Sequence, residues 1–333
     1  MKKSIAILIL MSIFSFMISG CISSVENSDK ITLFLANVHD KDYPTSVACD
    51  EFAKLVSERT NGRINIETYN NGELGDESSN VKQVQVGGLD FARVSISMLS
   101  SFDESLNILQ LPFIYRDDKH MWAVLNGEVG QDMLKSSKLS RNGITGLTWY
   151  TGGSRNFYTT KKPVTSPDDL KGMNIRVQQS NLMMGFITEL GGNPVPLAFA
   201  DVKSALENKS LDGAENNIQS YVSTEHYKTA KYLTVDEHMR APEMIIASTK
   251  SMNKLSEEDQ KIIRECAVES TQKQIELWNK YEQESLKKAE NEGCTITHLS
   301  ESELNKFKDT VSDFNKKQSE GYSDILNKIE NTK

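Results

Sequence analysis

The chain is poor in cysteine, in surplus basic charge and in long apolar runs, and each shortage excludes a class of protein. Four cysteines in 333 residues, without Cys-x-x-Cys spacing, offer no disulfide framework or zinc site. With 46 acidic against 38 basic side chains the formal net charge is −8, so no basic face is available to neutralise phosphates and nucleic-acid binding is disfavoured. Only the N-terminal segment is lipid-like, which rules out a polytopic membrane protein. Catalytic templates are missing too: there is no His-Glu-x-x-His, Gly-x-Ser-x-Gly or P-loop, and no Gly-x-Gly-x-x-Gly after a strand. The five histidines, His39, His120, His226, His238 and His298, lack metal-ligand spacing, so neither a metal nor a cofactor is expected.

What is present begins with a targeting signal. Lys2 and Lys3 precede an almost continuous apolar stretch over residues 5–18, and Ile18-Ser19-Gly20-Cys21 ends it with small residues. A basic start, a short apolar run and a small-residue cleavage site define a secretory signal, too short for a spanning helix. The cysteine resembles that of a bacterial lipobox, which implies cleavage before Cys21, diacylglycerol on its thiol and a second acyl chain on its amine. Two chains anchor stably where one does not. A plain signal peptide with an incidental cysteine is the alternative. Removal of Lys2 and Lys3 takes the mature net charge to −10. The polar run that follows reads as a tether, and Cys49, Cys266 and Cys294 remain as an odd number of thiols.

From Ile31 strands and helices alternate. Ile31, Leu33 and Leu35 open a strand, residues 44–60 carry apolar positions at helical spacing, and residues 63–69 read as a second strand. A helix over residues 76–86 closes at Gly87-Gly88, and a third strand covers residues 90–97. This order demands a mostly parallel sheet covered by helices. A helical stretch over residues 117–139 and a strand over residues 144–150 follow. A second cycle starts near Gly152, with a strand over residues 173–177 and helices over 181–190 and 201–208. The apolar run 241–249 is expected to return as a strand to the first sheet. Ser256 caps a helix running to about Asn291, roughly 50 Å long at 1.5 Å per residue, which exceeds one domain. A helix lying across both units fits better than a coiled coil, because strict heptads are not sustained.

Polar chemistry embedded in strand text draws attention to Met173-Asn174-Ile175-Arg176-Val177, where an arginine alternates with apolar residues. Open α/β sheets bind ligands outside the carboxyl ends of their strands, and a guanidinium there is a candidate carboxylate fork. Taken alone, the pattern fits an internal ion pair better. The glycine-rich run Thr151-Gly152-Gly153-Ser154-Arg155 reads as a crossover between the units rather than an anion loop, since no helix start or lysine follows it.

Several phrases in fixed order then resemble one family. Residues 170–177, Pro196-Leu197-Ala198-Phe199-Ala200-Asp201-Val202 and Leu211-Asp212-Gly213-Ala214-Glu215-Asn216-Asn217 match the solute-binding subunits of tripartite ATP-independent periplasmic (TRAP) transporters of the DctP type. Leu74-Gly75-Asp76-Glu77, Gly88-Leu89-Asp90-Phe91 and Leu109-Gln110-Leu111-Pro112-Phe113 extend the match over about residues 31–300. The resemblance implies an α/β, two-lobed, periplasmic-binding-protein-like clamshell with mixed, mostly parallel sheets and a long helix spanning both lobes. The expected division is a signal peptide (1–20), a lipid-anchored tether (21–30), lobe I (31–150 plus about 240–278) and lobe II (151–239 plus about 279–333). It also implies an extracytoplasmic protein, expected to be a monomer, that binds a small organic acid, works with the small and large membrane subunits of a TRAP permease and is not an enzyme.

Residue by residue, the resemblance assigns the ligand carboxylate to Arg176 and further ligand contacts to Arg155, Asn216, Phe199, Glu77 and Arg93, with His39 a weaker carry-over. Lys203 stands where relatives often have tyrosine. Two arginines would suit a dicarboxylate such as succinate or malate, but Glu77 would repel a second anion. A carboxylate acceptor suits sugar hydroxyls, and Phe199 suits a ring face. A hexuronate such as glucuronate or galacturonate is therefore the expected ligand, with a C4-dicarboxylate or another sugar acid as the alternative. The text from Tyr221 to His226 also resembles that of uronate-binding members. A uronate-acting enzyme using Glu77 and His39, and a sensory lipoprotein, complete the set of rivals.

Overall fold

The computed structural model describes residues 30–333; the signal peptide, Cys21 and all of the tether but Lys30 lie outside the described residues. Nine strands join in one mixed sheet: β1 Ile31–Ala36, β2 Ile64–Tyr69, β3 Phe91–Ser95, β4 Ile144–Thr159, β5 Asn174–Val177, β6 Asn193–Pro196, β7 Gly213–Asn216, β8 Tyr232–Ser248 and β9 Thr295–His298. Their spatial order is β2-β1-β3-β8-β4-β7-β5-β6, with β9 beside β8. Each end is built from parallel βαβ units, β2-β1-β3 at one and β7-β5-β6 at the other. Antiparallel pairing along β4 and β8 joins the ends.

Those two strands carry the two-lobed plan. The expected return strand 241–249 does pair with β3, Phe91 opposite Ala247 and Ser95 opposite Glu243, but it is the second half of a 17-residue strand that begins in the other lobe. Likewise the strand expected to stop at Tyr150 runs on to Thr159. Register shifts at Thr151/Ser154 and Arg155/Phe157 bend the ribbon there. Gly153 takes φ +65° at the bend, and a Cβ on it would lie 2.7 Å from the Trp278 indole.

The helix Glu257–Asn291 lies over this ribbon as expected, with Ser256 accepting from the Asp259 amide and three acidic residues in the first turn. Ile263, Cys266 and Ala267 pack with Phe52 and Val56 of the helix Pro44–Arg59. Ala289, seven turns on, packs with Tyr158 and Tyr221 of the other lobe. Between them the buried stripe turns polar: Gln274 bonds both the amide and the carbonyl of Thr151, and Ser270 meets the Tyr150 hydroxyl. The helix therefore braces both lobes through the crossing strand itself.

Two further expectations are corrected. The helix over residues 117–139 is three short helices, Asp118–Asn126, Glu128–Leu134 and Ser137–Arg141, because Gly127 adopts extended backbone and Ser136 caps afresh. The tail is also split. The helix Ser323–Asn331 packs on the first lobe, where the Ile329 carbonyl meets His120 Nε2 and Lys328 pairs with Glu128, although the expected division placed it with the second. No helix among the described residues is long and apolar enough to cross a membrane.

Candidate functional site

A cavity of about 400 Å³ lies between the lobes at the carboxyl ends of the strands, where open α/β sheets place their ligands. The first lobe contributes His39, from the loop after β1, and Glu77, the first residue of the helix Glu77–Val86; the second contributes Arg155, Arg176, Phe199 and Asn216. Six of the seven expected site residues therefore share one wall system. Arg93 does not: it is fully buried behind the wall, its Nη1 2.8 Å from Glu77 and 3.0 Å from Glu243 and its Nε donating to Asn37. Its geometry makes it a holder of Glu77 rather than a cavity-lining group.

The three arginines differ in what already satisfies them. Arg155 is forked onto the carboxylate of Glu215, donates from Nη2 to the Glu215 carbonyl at 2.8 Å and reaches Asn216 Oδ1 at 3.1 Å. Arg155 and Arg93 are both raised above the ordinary arginine range by their carboxylate partners against the cost of burial. Arg176 has no carboxylate within ion-pair distance among the described residues, and its Nε and Nη2 donate only to the Leu197 carbonyl, at 3.0 and 2.7 Å. Burial, with the neighbouring Arg155 charge, pushes it below the ordinary range. A guanidinium 3% exposed whose Nη1 has no partner among the described residues is a buried cation able to pair with an anion.

The opposite wall is acidic. Glu77 accepts from Ser95 Oγ at 3.3 Å, and Glu243 lines the cavity beside it, so two carboxylates share one Arg93. Burial, opposed by Arg93 and assisted by Glu77, raises Glu243 to about 7. The cavity is thus cationic toward the second lobe and rich in hydrogen-bond acceptors toward the first.

Aromatic and polar contacts close the space between. His39 stacks on Tyr43 with centroids 4.1 Å apart and meets the edge of Phe199 at 5.0 Å. Burial, aided by Arg93, keeps His39 well below the ordinary histidine range, so its ring is neutral. The Tyr43 hydroxyl reaches Asn217 and Ser220 across the cleft, and Gln178 bonds Ser95 and Ser97 on the other side. Lys203, the departure from the family pattern, lies on the rim and pairs with Glu225 at 2.7 Å.

Sequence reasoning missed Glu243, Gln178, Asn217 and His226. Glu243 could have been found as Arg176 was, since it interrupts apolar strand text at Pro242-Glu243-Met244. His226 closes the Tyr221-to-His226 text that resembles uronate-binding members, but nothing in its own spacing singled it out as a contact.

Two lobes hinged on crossing strands, braced by one helix and enclosing a charged cavity, define a binding protein of the clamshell class. Residues 35–320 match the model of bacterial extracellular solute-binding protein, family 7 (DctP), and the chain belongs to that family. A solute-binding protein from Chromohalobacter salexigens is 35% identical over 263 residues, 79% of this chain and 78% of that protein. Among solved structures, a TRAP periplasmic solute-binding protein from Roseobacter denitrificans with bound β-D-glucuronate is 34% identical, with a TM-score of 0.86 over 91% of this chain and all of that one. One from Bradyrhizobium with bound α/β-D-galacturonate is 36% identical, with a TM-score of 0.87 over 90% of this chain and all of that one. Membership makes the chain an extracytoplasmic solute-binding protein of transport, not an enzyme. Proteins of this kind are the substrate-binding components of TRAP transporters, which work with membrane permease subunits.

Proposed function

We propose that the cavity captures a hexuronate, such as glucuronate or galacturonate, by pairing its carboxylate with Arg176 and closing the lobes over the sugar ring. The buried, carboxylate-free guanidinium of Arg176 is the observation that carries this reading. Glu77 and Glu243 supply acceptors for hydroxyl protons at the far end, and Phe199 supplies an apolar face for the ring. A C4-dicarboxylate fits less well. Its second anion would meet either Arg155, already neutralised by Glu215, or the carboxylates of the first lobe. Uronates bound to similar proteins support the same choice.

In this reading the ligand meets one open lobe, the other closes over it, and ion pairing offsets the desolvation of Arg176. A division of the lobes near residues 151 and 240, where β4 and β8 pass from one to the other, fits this motion. The filled monomer, held to the membrane by lipid on Cys21, then delivers its cargo to the small and large permease subunits.

A thermal-shift screen over uronates, aldonates and dicarboxylates tests the ligand. A ligand at 100 times its Kd adds about 2.7 kcal/mol of stability, worth several degrees in Tm. Shifts of that size are expected for D-glucuronate or D-galacturonate and not for succinate or malate; the reverse ranking would discard the uronate reading.

A further inference from the structure

His226 lines the cavity on the second lobe, at the start of the short turn His226–Lys228, and is 1% exposed. One edge of its ring is fixed: Nδ1 lies 2.8 Å from the hydroxyl of Tyr158, a residue wholly buried behind the wall on β4. The other edge carries Nε2, a buried nitrogen without a hydrogen-bond partner among the described residues. Buried polar atoms in native proteins are almost always satisfied, so an orphan at a cavity wall points to an occupant of the cavity.

The proton can be placed by counting unmet groups. If the tyrosine donates to Nδ1, only one group is left over, an Nε2–H donor. If Nδ1–H donates to the tyrosine, both the phenolic proton and the Nε2 lone pair are stranded. The first arrangement costs less. A positive ring is disfavoured as well, because burial, Arg176 and Lys203 lower His226 to about 3. Lys203 is itself paired with Glu225, and among the described residues no carboxylate contacts the ring.

We infer that His226 is a second ligand-reading donor: its Nε2–H, oriented by Tyr158, bonds a ligand oxygen at the carboxylate end gripped by Arg176. This rests on the proposed function of the cavity and deepens it. Arg176 alone grips any carboxylate; a fixed neutral donor beside it selects acids whose neighbouring oxygen lies in line with Nε2. His226 is also invisible to the charge pairing that marks the rest of the site.

Two arms test this on the folded chain from residue 22 onward. In the first, isothermal titration with D-glucuronate and D-galacturonate compares wild type, His226→Leu and His226→Gln, with melting temperatures checked without ligand. Loss of one hydrogen bond to a charged or strongly polar oxygen is expected to weaken binding roughly 10- to 100-fold in His226→Leu. His226→Gln, whose amide can donate from a similar place, is expected to recover part of it. Affinity within threefold of wild type in a folded His226→Leu would overturn the assignment. In the second arm, ¹⁵N–¹H correlation spectra of the ligand-free protein report which ring nitrogen bears the proton. An Nε2–H tautomer that Tyr158→Phe destabilises is expected; an Nδ1–H tautomer would refute the inference whatever ligand binds. Failure of wild type to bind any uronate would instead defeat the proposed function, leaving the tautomer to decide the role of His226.

Discussion

Replacing Arg176 by methionine separates its binding role from any structural one. A guanidinium has five N–H donors; the Nε and Nη2 edge of Arg176 is spent on the Leu197 carbonyl, leaving the Nη1–Nη2 end to fork a carboxylate. Hydrogen bonds to charged groups contribute about 1.5–3 kcal/mol each, so two parallel bonds amount to about 3–6 kcal/mol. That corresponds to roughly 10²- to 10⁴-fold in Kd. The ligand-free protein should lose little. The Leu197 carbonyl forfeits its donors, about 1–3 kcal/mol, but a buried cation without a counter-ion is removed at the same time. Isothermal titration of Arg176→Met with D-glucuronate is therefore expected to show no measurable heat at concentrations that saturate wild type. Its ligand-free melting temperature should stay within a few degrees. Arg176→Lys, which keeps the charge without the fork, should fall between. A Met variant that binds within tenfold of wild type would refute the reasoning, as would one that no longer folds, which would recast Arg176 as structural.

Two further outcomes follow from other parts of the site. Glu243 sits at about 7 in the folded protein against 4.5 for an ordinary glutamate, chiefly through burial. Its contribution to stability is full below about pH 4.5 and is lost as the pH rises through about 7, on the order of 1–3 kcal/mol. Glu243→Gln should flatten the fall in urea midpoint between pH 5 and pH 8, and an unchanged slope would show that Glu243 is not the titrating group. At the bend of β4, Gly153→Ala forces a left-handed residue against the Trp278 indole. It should destabilise by about 1–3 kcal/mol in denaturant titration, and a midpoint equal to wild type would mean the bend relaxes freely.

Much of the architecture was readable because it obeys local rules. The first βαβαβ unit follows from periodicity and Gly stop signals, and the long helix from Ser256 and an uninterrupted stripe. Arg176 stood out as a charge in apolar strand text, and six of seven expected residues do meet in one cavity. The exception, Arg93, illustrates the limit. A motif tells that an arginine belongs to the site, yet only packing distinguishes a group that faces the cavity from one that holds its neighbour.

The chain's own order of residues determined the fold class, the alternating units and the presence of an arginine in buried strand text, because hydrophobic period, capping and strand polarity act within a few residues. Tertiary structure alone decided that β4 and β8 each run through both lobes, that the last helix returns to the first, and which arginine is left uncompensated. Those facts depend on partners distant in sequence: Glu215 neutralises Arg155 from 60 residues away and Glu243 meets Arg93 from 150. The charge of a buried group is settled by what the fold brings beside it, and no local pattern contains that information.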